Sequence, residues 1–196
     1  MIENNEFLVK ERVNLLKLTD IYDVFDPQSG TQVAIAKEDP GIFSILLRFI
    51  MKKFQLPTNV YVYEGDNYED SSKLLFSIKR GFVFLRSKVE VLDSNGNLLG
   101  WFKSRLLTIG GAFDVFDSSG NIIASLEGDW IGWNFNFINR NGQQIGNVTK
   151  KWSGIGKEMF TTADNYMISL SSQDSVERKL LMLAAALAID IVYKES

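Results

Sequence analysis

The sequence predicts a mainly β protein, a closed β-barrel of about twelve antiparallel strands around a buried hydrophobic C-terminal helix. Three observations lead to this fold. Apolar residues alternate along many short segments, as in strands with one buried face. Four of these segments share one hairpin outline. The stretch from Leu180 to Ile189 is apolar without interruption, which is typical of a helix that is buried on all sides.

Each hairpin outline consists of an alternating apolar run, a turn with Asp or Asn followed by Gly, and a second apolar run. Asp and Asn side chains hydrogen-bond to nearby backbone, and Gly adopts positive φ at little cost. Such turns therefore favour antiparallel hairpins. The four turns run from Asp26 to Gly30, Asp93 to Gly96, Asp117 to Gly120 and Asn139 to Gly142.

Further strands are predicted at residues 59–63, 74–79, 82–86 and 167–170. No strand is assigned to residues 1–14, where charged residues are mixed with isolated apolar ones and the pattern of a secretory signal is not visible. The chain has no linker rich in Gly, Ser or Pro. We therefore expect a single domain over residues 1–196 with its core at about 15–195.

Residues 39–54 interrupt the strand pattern and predict an amphipathic helix, with Asp39 as its cap and Pro40 at its first position. The apolar residues that share one face are Ile42, Leu46, Phe49 and Ile50. The leading interpretation packs this face against the barrel. The alternative is a basic helix that touches anionic lipid, to which Arg48, Lys52 and Lys53 add charge.

Residues 176–193 form the second interruption and predict the central helix, which small side chains such as Ala184 and Ala188 make slim enough for a barrel. The apolar run is shorter than the roughly 20 residues of a membrane span, although a transmembrane anchor is the competing interpretation. Asp190 is assigned a structural role, either in an ion pair with the barrel or at the helix exit, where water reaches it.

The composition excludes several classes of chemistry. The chain has no cysteine, which rules out disulfides, thiolate metal sites and cysteine nucleophiles, and no histidine, the commonest general base. We therefore expect no enzyme activity. Because the net charge is −3 and no long basic run is present, nucleic acid is not an expected partner. The lack of cysteine fits a cytoplasmic location.

The stretch from Gly146 to Tyr193 resembles the C-terminal part of phospholipid scramblases. The matching residues are Lys151-Trp152-Ser153-Gly154, Lys157-Glu158, Phe160-Thr161, Ala163-Asp164-Asn165-Tyr166 and the Leu/Ala-rich run that ends at Ile189-Asp190. Upstream, Gly128-Asp129-Trp130 and the hairpin turns extend the resemblance over most of the chain. The compact form is similar to the bacterial branch of the family.

This resemblance implies the barrel that scramblases share with LURP-one-related proteins and the tubby C-terminal domain, in which strands enclose a central hydrophobic helix. Animal scramblases are associated with calcium-dependent movement of phospholipids between leaflets. Tubby-type domains bind phosphoinositides through basic surface residues. The resemblance therefore implies a phospholipid-related function for the domain.

The family's proposed calcium segment corresponds here to residues 162–173, in which Asp164 and Asn165 match the pattern. Acidic positions of that pattern are occupied by Thr162 and Gln173. Because Ca²⁺ takes about six to eight oxygen ligands, several of them carboxylate, one retained Asp makes a weak site. We therefore expect no cofactor.

The candidate ligand-binding site is the densest basic set of the chain, in which Lys150, Lys151 and Lys157 lie beside Trp152. A phospholipid headgroup fits among them, with each lysine acting as a point charge on the phosphate. The alternative is a solvated strand edge, where lysine prevents unwanted pairing. A second basic set lies on one predicted hairpin, at Lys79, Arg80, Arg86 and Lys88.

Three tryptophans, Trp130, Trp133 and Trp152, fall near predicted strand ends. Such rings are expected to pack against the barrel or the mouth around its helix, which gives Trp130 a structural role. Contact with a lipid surface is the alternative.

The leading hypothesis is a non-enzymatic domain that recognises anionic phospholipid or a membrane surface through basic residues at one end of the barrel. Such a protein is expected to be cytoplasmic and to reach the membrane peripherally. Two other functions compete with it: a protein-interaction or scaffold domain without lipid activity, and movement of phospholipids between leaflets.

Overall fold

A computed structural model describes residues 4–12, 19–47, 50–51, 55–82, 88–105, 112–129, 133–150 and 165–189. The strands are β1 (Glu6–Glu11), β2 (Ile21–Phe25), β3 (Gln32–Asp39), β4 (Thr58–Glu64), β5 (Leu74–Arg80), β6 (Lys88–Asp93), β7 (Leu98–Ser104), β8 (Ala112–Asp117), β9 (Ile122–Asp129), β10 (Asn134–Ile138), β11 (Gln144–Thr149) and β12 (Asn165–Leu170). The helices are α1 (Gly41–Leu47) and α2 (Val176–Ala188), and a 3-10 turn lies at Ser71–Lys73.

Within the described residues, twelve strands form one closed antiparallel barrel, which confirms the predicted fold class. Each strand pairs with its neighbours in the chain, and β1 closes the barrel by pairing with β12, where Leu8 lies opposite Met167. Because strand direction alternates, the connections collect at two ends. The end with the β2–β3, β4–β5, β6–β7, β8–β9 and β10–β11 loops is called the turn end. The opposite end, where β3 leads into α1, is called the rim.

The four predicted hairpins are confirmed, and one side-chain contact recurs in their turns. The Oδ1 atom of the first turn residue accepts a hydrogen bond from the backbone N–H two residues later. The pairs are Gln28 to Asp26 at 2.9 Å, Asn95 to Asp93 at 2.9 Å, Ser119 to Asp117 at 3.0 Å and Asn141 to Asn139 at 2.9 Å. The glycines that end these turns have φ between 70° and 86°, a region that L side chains avoid.

The central helix α2 begins at the turn end and runs inside the barrel toward the rim. The hydroxyl of Ser175 caps it by accepting a hydrogen bond from the backbone N–H of Arg178 at 3.4 Å. Every residue from Leu181 to Ile189 is at most 1% exposed, in one core cluster with inward-facing strand residues such as Phe76 and Phe102. The predicted helix that is buried on all sides is confirmed, and residues 190–193 of that prediction lie outside the described ones.

Gly100 on β7 shows how closely the sheet approaches this helix. A Cβ atom added there would collide with the carbonyl oxygen of Phe116 and lie 2.9 Å from Cδ2 of Leu181. Protein interiors are packed at crystal-like density, so little room exists to absorb such an atom. The fit of α2 inside the barrel therefore depends on glycine in the barrel wall as well as on alanine in the helix.

The strand β1 lies in a segment for which no strand is predicted, and it precedes the expected start of the core near residue 15. Its residues Phe7, Leu8 and Val9 are consecutive and all buried. A strand that is buried on both faces loses the period-2 alternation, so the pattern does not reveal it. In the predicted strand 82–86, Phe82 belongs to no strand and the other residues lie outside the described ones.

The helix predicted at residues 39–54 is present but shorter, at Gly41–Leu47, and Ile50 follows it in a turn. Asp39 accepts a hydrogen bond from the backbone N–H of Gly41 at 3.1 Å, in keeping with its predicted capping role. Residues 48–49 and 52–54 of the prediction lie outside the described ones. Among the described residues of this connection, the α-helix therefore covers Gly41–Leu47.

The orientation of α1 is the reverse of the leading expectation. Ser44 is 2% exposed and its hydroxyl donates a hydrogen bond to the carbonyl of Pro57 at 3.0 Å, so the polar side of the helix faces the protein. Ile42 and Leu46 are 82% and 61% exposed. The interpretation that the face of Ile42 and Leu46 packs against the barrel is wrong, because both side chains are exposed to solvent.

Candidate functional site at the barrel rim

The two ends of the barrel differ in charge. Acidic residues of the turn end are Glu6, Asp26, Glu64, Asp66, Glu69, Asp70, Asp93, Asp117, Asp174 and Glu177, against the basic residues Lys73, Arg140, Arg178 and Lys179. In the rim connections and the last two positions of each strand at the rim, the described basic residues are Lys10, Arg12, Lys79, Arg80, Lys88, Lys103, Arg105 and Lys150, against Glu11, Asp20, Glu38, Asp39 and Asp129. In the described part of the chain, the turn end is therefore strongly acidic, whereas the rim has a small excess of basic residues.

Two rim arginines stabilise the barrel wall. Arg12 donates two hydrogen bonds of 2.7 Å to Asp23, which joins the end of β1 to β2. Arg105 bridges β8 and β9 by donating to Asp114 and, at 2.8 Å, to Glu127. Burial raises the pKa of Asp114, but hydrogen bonds from Arg105 and the Ser125 hydroxyl outweigh it and hold that pKa below its ordinary value. Both guanidinium groups are thus committed to carboxylates of the wall.

Three rim lysines are less constrained. Lys79 is exposed and Lys103 is half-buried, and neither forms an ion pair with another described residue. Lys88 donates to Glu90 at 2.9 Å and lies 4.9 Å from the ring centroid of Trp101, with its side chain 50% exposed. Surface pairs of this kind contribute about 1 kcal/mol or less, so an anionic ligand can compete for such a lysine.

Lys150 is positioned by an aromatic platform at the rim. Its ammonium lies 4.2 Å from the ring centroid of Trp133, and its backbone N–H donates to the Trp133 carbonyl at 3.2 Å. The Trp133 ring packs edge-on against Phe135 at 6.0 Å and tilted against Tyr166 at 5.4 Å. Trp133 has a φ of 47°, which is uncommon for a bulky residue. These packing contacts hold the ring in place and confirm that Trp133 packs against the barrel.

A buried polar network anchors the chain on either side of α1. Glu38, which is 1% exposed, accepts hydrogen bonds from the Thr58 hydroxyl at 2.8 Å and from the backbone N–H of Asp20 at 3.3 Å. Arg80, which is 5% exposed, donates to the carbonyl of Leu56 at 2.9 Å. Hydrogen bonds to charged groups contribute more than neutral ones, at about 1.5–3 kcal/mol. The base of the β3–β4 connection is therefore firmly attached to the barrel.

Exposed apolar side chains collect on the same sector of the rim. Ile42, Leu46 and Ile50 in the β3–β4 connection are 82%, 61% and 84% exposed, and Phe82 just after β5 is 43% exposed. The two connections are neighbours because β4 pairs with β5. Isolated exposed apolar residues are ordinary, whereas a cluster of them marks an interaction surface. The rim thus combines basic and apolar groups.

The structure places some of the predicted site residues. Lys150 lies at the rim as expected, whereas its predicted neighbours Lys151, Trp152 and Lys157 are outside the described residues. Trp130 and Asp190, which were assigned structural roles, are also outside them. Of the second basic set, Lys79, Arg80 and Lys88 lie at the rim, although Arg80 is buried, and Arg86 lies outside the described residues.

Of the two predicted calcium ligands, Asn165 is 4% exposed at the start of β12, and Asp164 lies outside the described residues. Among the described residues, no group of three or more acidic side chains is arranged to hold a metal ion. Asn165 alone makes a poor fit to an ion that needs several oxygen ligands. The expectation of no cofactor stays a prediction.

Lys103 is a feature of the rim that the sequence pattern did not identify, and the outward face of α1 agrees only with the alternative interpretation of residues 39–54. Lys103 is a single lysine within an ordinary strand pattern. The order of the strands could have located it, because every second connection of an up-and-down barrel lies at the same end. The orientation of α1 has no such signal, because periodicity identifies an apolar face and not what covers it.

A closed antiparallel barrel around a buried helix defines the class of β-barrel domains with a central helix. A family model described as Scramblase matches residues 22–196. The chain therefore belongs to the scramblase family. Among the described residues, no helix has the length and apolar character needed to span a bilayer. No solved structure gives a significant match to the chain.

Individual relatives agree with this assignment. Human phospholipid scramblase 1 is 38% identical over 52 residues, which cover 26% of this chain and 16% of the human protein. A phospholipid scramblase family protein of Schizosaccharomyces pombe is 23% identical over 166 residues, with 65% of this chain and 44% of that protein covered. Each similarity thus spans less than half the length of the relative.

Proposed function

We propose that this domain binds anionic phospholipid at a membrane surface, without enzymatic chemistry, through the basic rim of the barrel. The observation that carries the proposal is the separation of charge between a basic rim and an acidic turn end. An anionic surface attracts the rim and repels the turn end, so the charge distribution favours one orientation of approach. Membership of the scramblase family supports phospholipid as the ligand class.

Lysine is suited to this task because its ammonium is a compact point charge with three donors, which suits the varied geometry of headgroup phosphates. Each lysine or arginine near an anionic membrane contributes about 1 kcal/mol. Lys150 is the best-positioned residue of the proposed headgroup site, and Lys151, Trp152 and Lys157 complete it in the proposal. We further propose a cytoplasmic protein that reaches the membrane peripherally.

Co-sedimentation with vesicles tests this function. Vesicles of phosphatidylcholine with and without phosphatidylserine are compared at low and high salt, each with calcium and with a chelator. We expect binding to the anionic vesicles, loss of binding at high salt because exposed charges are screened, and no effect of the chelator. The doubly reversed variant Lys79→Glu/Lys150→Glu should bind at least about 10-fold more weakly.

The matched control is Lys73→Glu/Arg140→Glu at the turn end, which changes the net charge by the same amount. Equal loss of binding in the two variants would show that total charge, and not the rim, governs attachment. If the protein bound no vesicles under any condition, the proposal would be wrong and the rim would have to be tested against protein partners.

Movement of phospholipids between leaflets is a second candidate, favoured by the family to which the chain belongs. Its test is the loss of leaflet asymmetry of a fluorescent phospholipid in vesicles reconstituted with the purified protein. We expect binding without such mixing, since α2 lies buried inside the barrel.

A further inference from the structure

We propose that the outward face of α1 and its following turn, formed by Ile42, Leu46 and Ile50 and called the apolar tip, inserts into the bilayer to which the rim binds. The proposal rests on the phospholipid-binding function proposed above. It adds to that function the part of the protein surface that moves out of water. It also names the anionic bilayer as what this surface enters.

The apolar tip is held outward by the way α1 is attached. The face toward the barrel carries Ser44, whose hydroxyl donates to the Pro57 carbonyl at 3.0 Å. The opposite face presents Ile42 and Leu46, which are one helical turn apart and therefore adjacent. Ile50 lies in the turn that follows the helix and is 84% exposed, and its backbone N–H donates to the Leu47 carbonyl at 2.9 Å. Large apolar side chains exposed to this degree gain free energy from any surface that removes them from water.

The charges around the apolar tip favour an anionic bilayer as its occupant. Of the two acidic residues that precede α1 in the chain, Glu38 is 1% exposed and Asp39 accepts a hydrogen bond from the backbone N–H of Gly41. Lys79, at the end of β5 beside the segment that carries the tip, is exposed and has no ion pair with a described residue. Apolar residues flanked by lysine are the combination by which peripheral proteins bury side chains at the headgroup boundary while basic groups contact anionic lipid.

The absence of cysteine from the chain allows a direct test. Leu46→Cys carries an environment-sensitive fluorophore, and Leu98→Cys, an exposed leucine at the turn end, is the matched control. With phosphatidylserine-containing vesicles, we expect a blue shift and protection from an aqueous quencher at position 46. The label at position 98 should stay in water, because the turn end points away from the bilayer.

Substitution of the apolar tip provides an independent measurement. Ile42→Gln/Leu46→Gln/Ile50→Gln removes the inserting groups at exposed positions, so the melting temperature should be nearly unchanged. Loss of several apolar contacts should weaken binding to anionic vesicles by at least about 10-fold. The control Leu98→Gln/Val176→Gln removes exposed apolar residues at the turn end and should bind as the wild type does.

The outcomes separate this inference from the proposed function. If the protein binds anionic vesicles but the label at position 46 stays in water, or the triple variant binds normally, insertion is overturned and headgroup binding stands. If no binding occurs, both fall. If the label shifts without vesicles as protein concentration rises, a second copy of the chain covers the tip, which also overturns the inference.

Discussion

At the scale of residues, Asp117 and Asn139 perform the same task in equivalent turns. The Oδ1 atom of Asp117 accepts from the backbone of Ser119 and Asn121, and that of Asn139 accepts from Asn141 and Gln143. The side-chain hydrogen bond from Asn121, followed by those from the backbone, lowers the pKa of Asp117 below its ordinary value. Both turns therefore need the side-chain Oδ1 atom as an acceptor. Only the aspartate makes the stability of its turn depend on pH.

Asp117→Asn tests this dependence. Because the folded-state pKa is below the unfolded value of about 3.9, the charged form stabilises the fold above that pH. This contribution is lost as pH falls through the folded pKa. We expect the melting temperature of the wild type to fall relative to that of the variant as the pH drops below about 4. The reciprocal change Asn139→Asp should introduce a loss in the same window, and a pH-independent difference for both variants would contradict the assignment.

Gly100→Ala tests the close approach of barrel and helix. The added Cβ meets the Phe116 carbonyl and Leu181, and overpacking of this kind costs about 1–3 kcal/mol or more. In a domain of this size, the melting temperature should fall by about 2–4 °C per kcal/mol. Gly81→Ala is the matched control, since nothing lies within 4 Å of a Cβ added there. Equal melting temperatures of the two variants would show that the barrel strands accommodate the added methyl group without loss of stability.

At the scale of elements, the sequence pattern of both β1 and α1 differs from the place that each takes in the fold. β1 closes the barrel through β2 and β12 although its apolar residues do not alternate. α1 has the apolar periodicity of a core helix, yet presents that side to solvent. Backbone pairing determines the place of β1, and the hydrogen bond of Ser44 contributes to the orientation of α1.

Deletion of residues 1–11 tests the closing strand. Without β1, β2 and β12 become unpaired edges, which promote association with other chains. We expect loss of the cooperative thermal transition and aggregation on size-exclusion chromatography. Deletion of residues 1–3 serves as the control and should leave the transition in place. A soluble, cooperatively melting protein without residues 1–11 would support the sequence-based core at about 15–195 instead.

At the scale of the whole molecule, the charge separation and the apolar tip suggest an end-on orientation at the membrane. α1 lies between β3 and β4, and Lys150 follows β11, which is nearly opposite in the closed strand order. Both groups reach one surface only if the barrel axis stands roughly upright on it. The vesicle experiments with labels at positions 46 and 98 therefore report orientation as well as insertion.

The sequence by itself determined the four hairpins, the buried central helix and the barrel class, because each depends on local signals. Asp26, Asp93, Asp117 and Asn139 with their glycines specify turns, and an uninterrupted apolar run shorter than a membrane span favours a helix inside a core. The scramblase resemblance was likewise visible in the motifs around Lys151 and Asp164. These features need no knowledge of distant contacts.

Tertiary structure alone decided which strand closes the barrel, which lysines share the rim and which way α1 faces. Lys79 and Lys150 are far apart in sequence and lie at the same end of the barrel only because the strands alternate in direction. A helical period identifies the face of Ile42 and Leu46, but whether that face is covered depends on backbone groups such as the Pro57 carbonyl. Such contacts join residues that no local pattern relates, so they emerge only when the chain is folded.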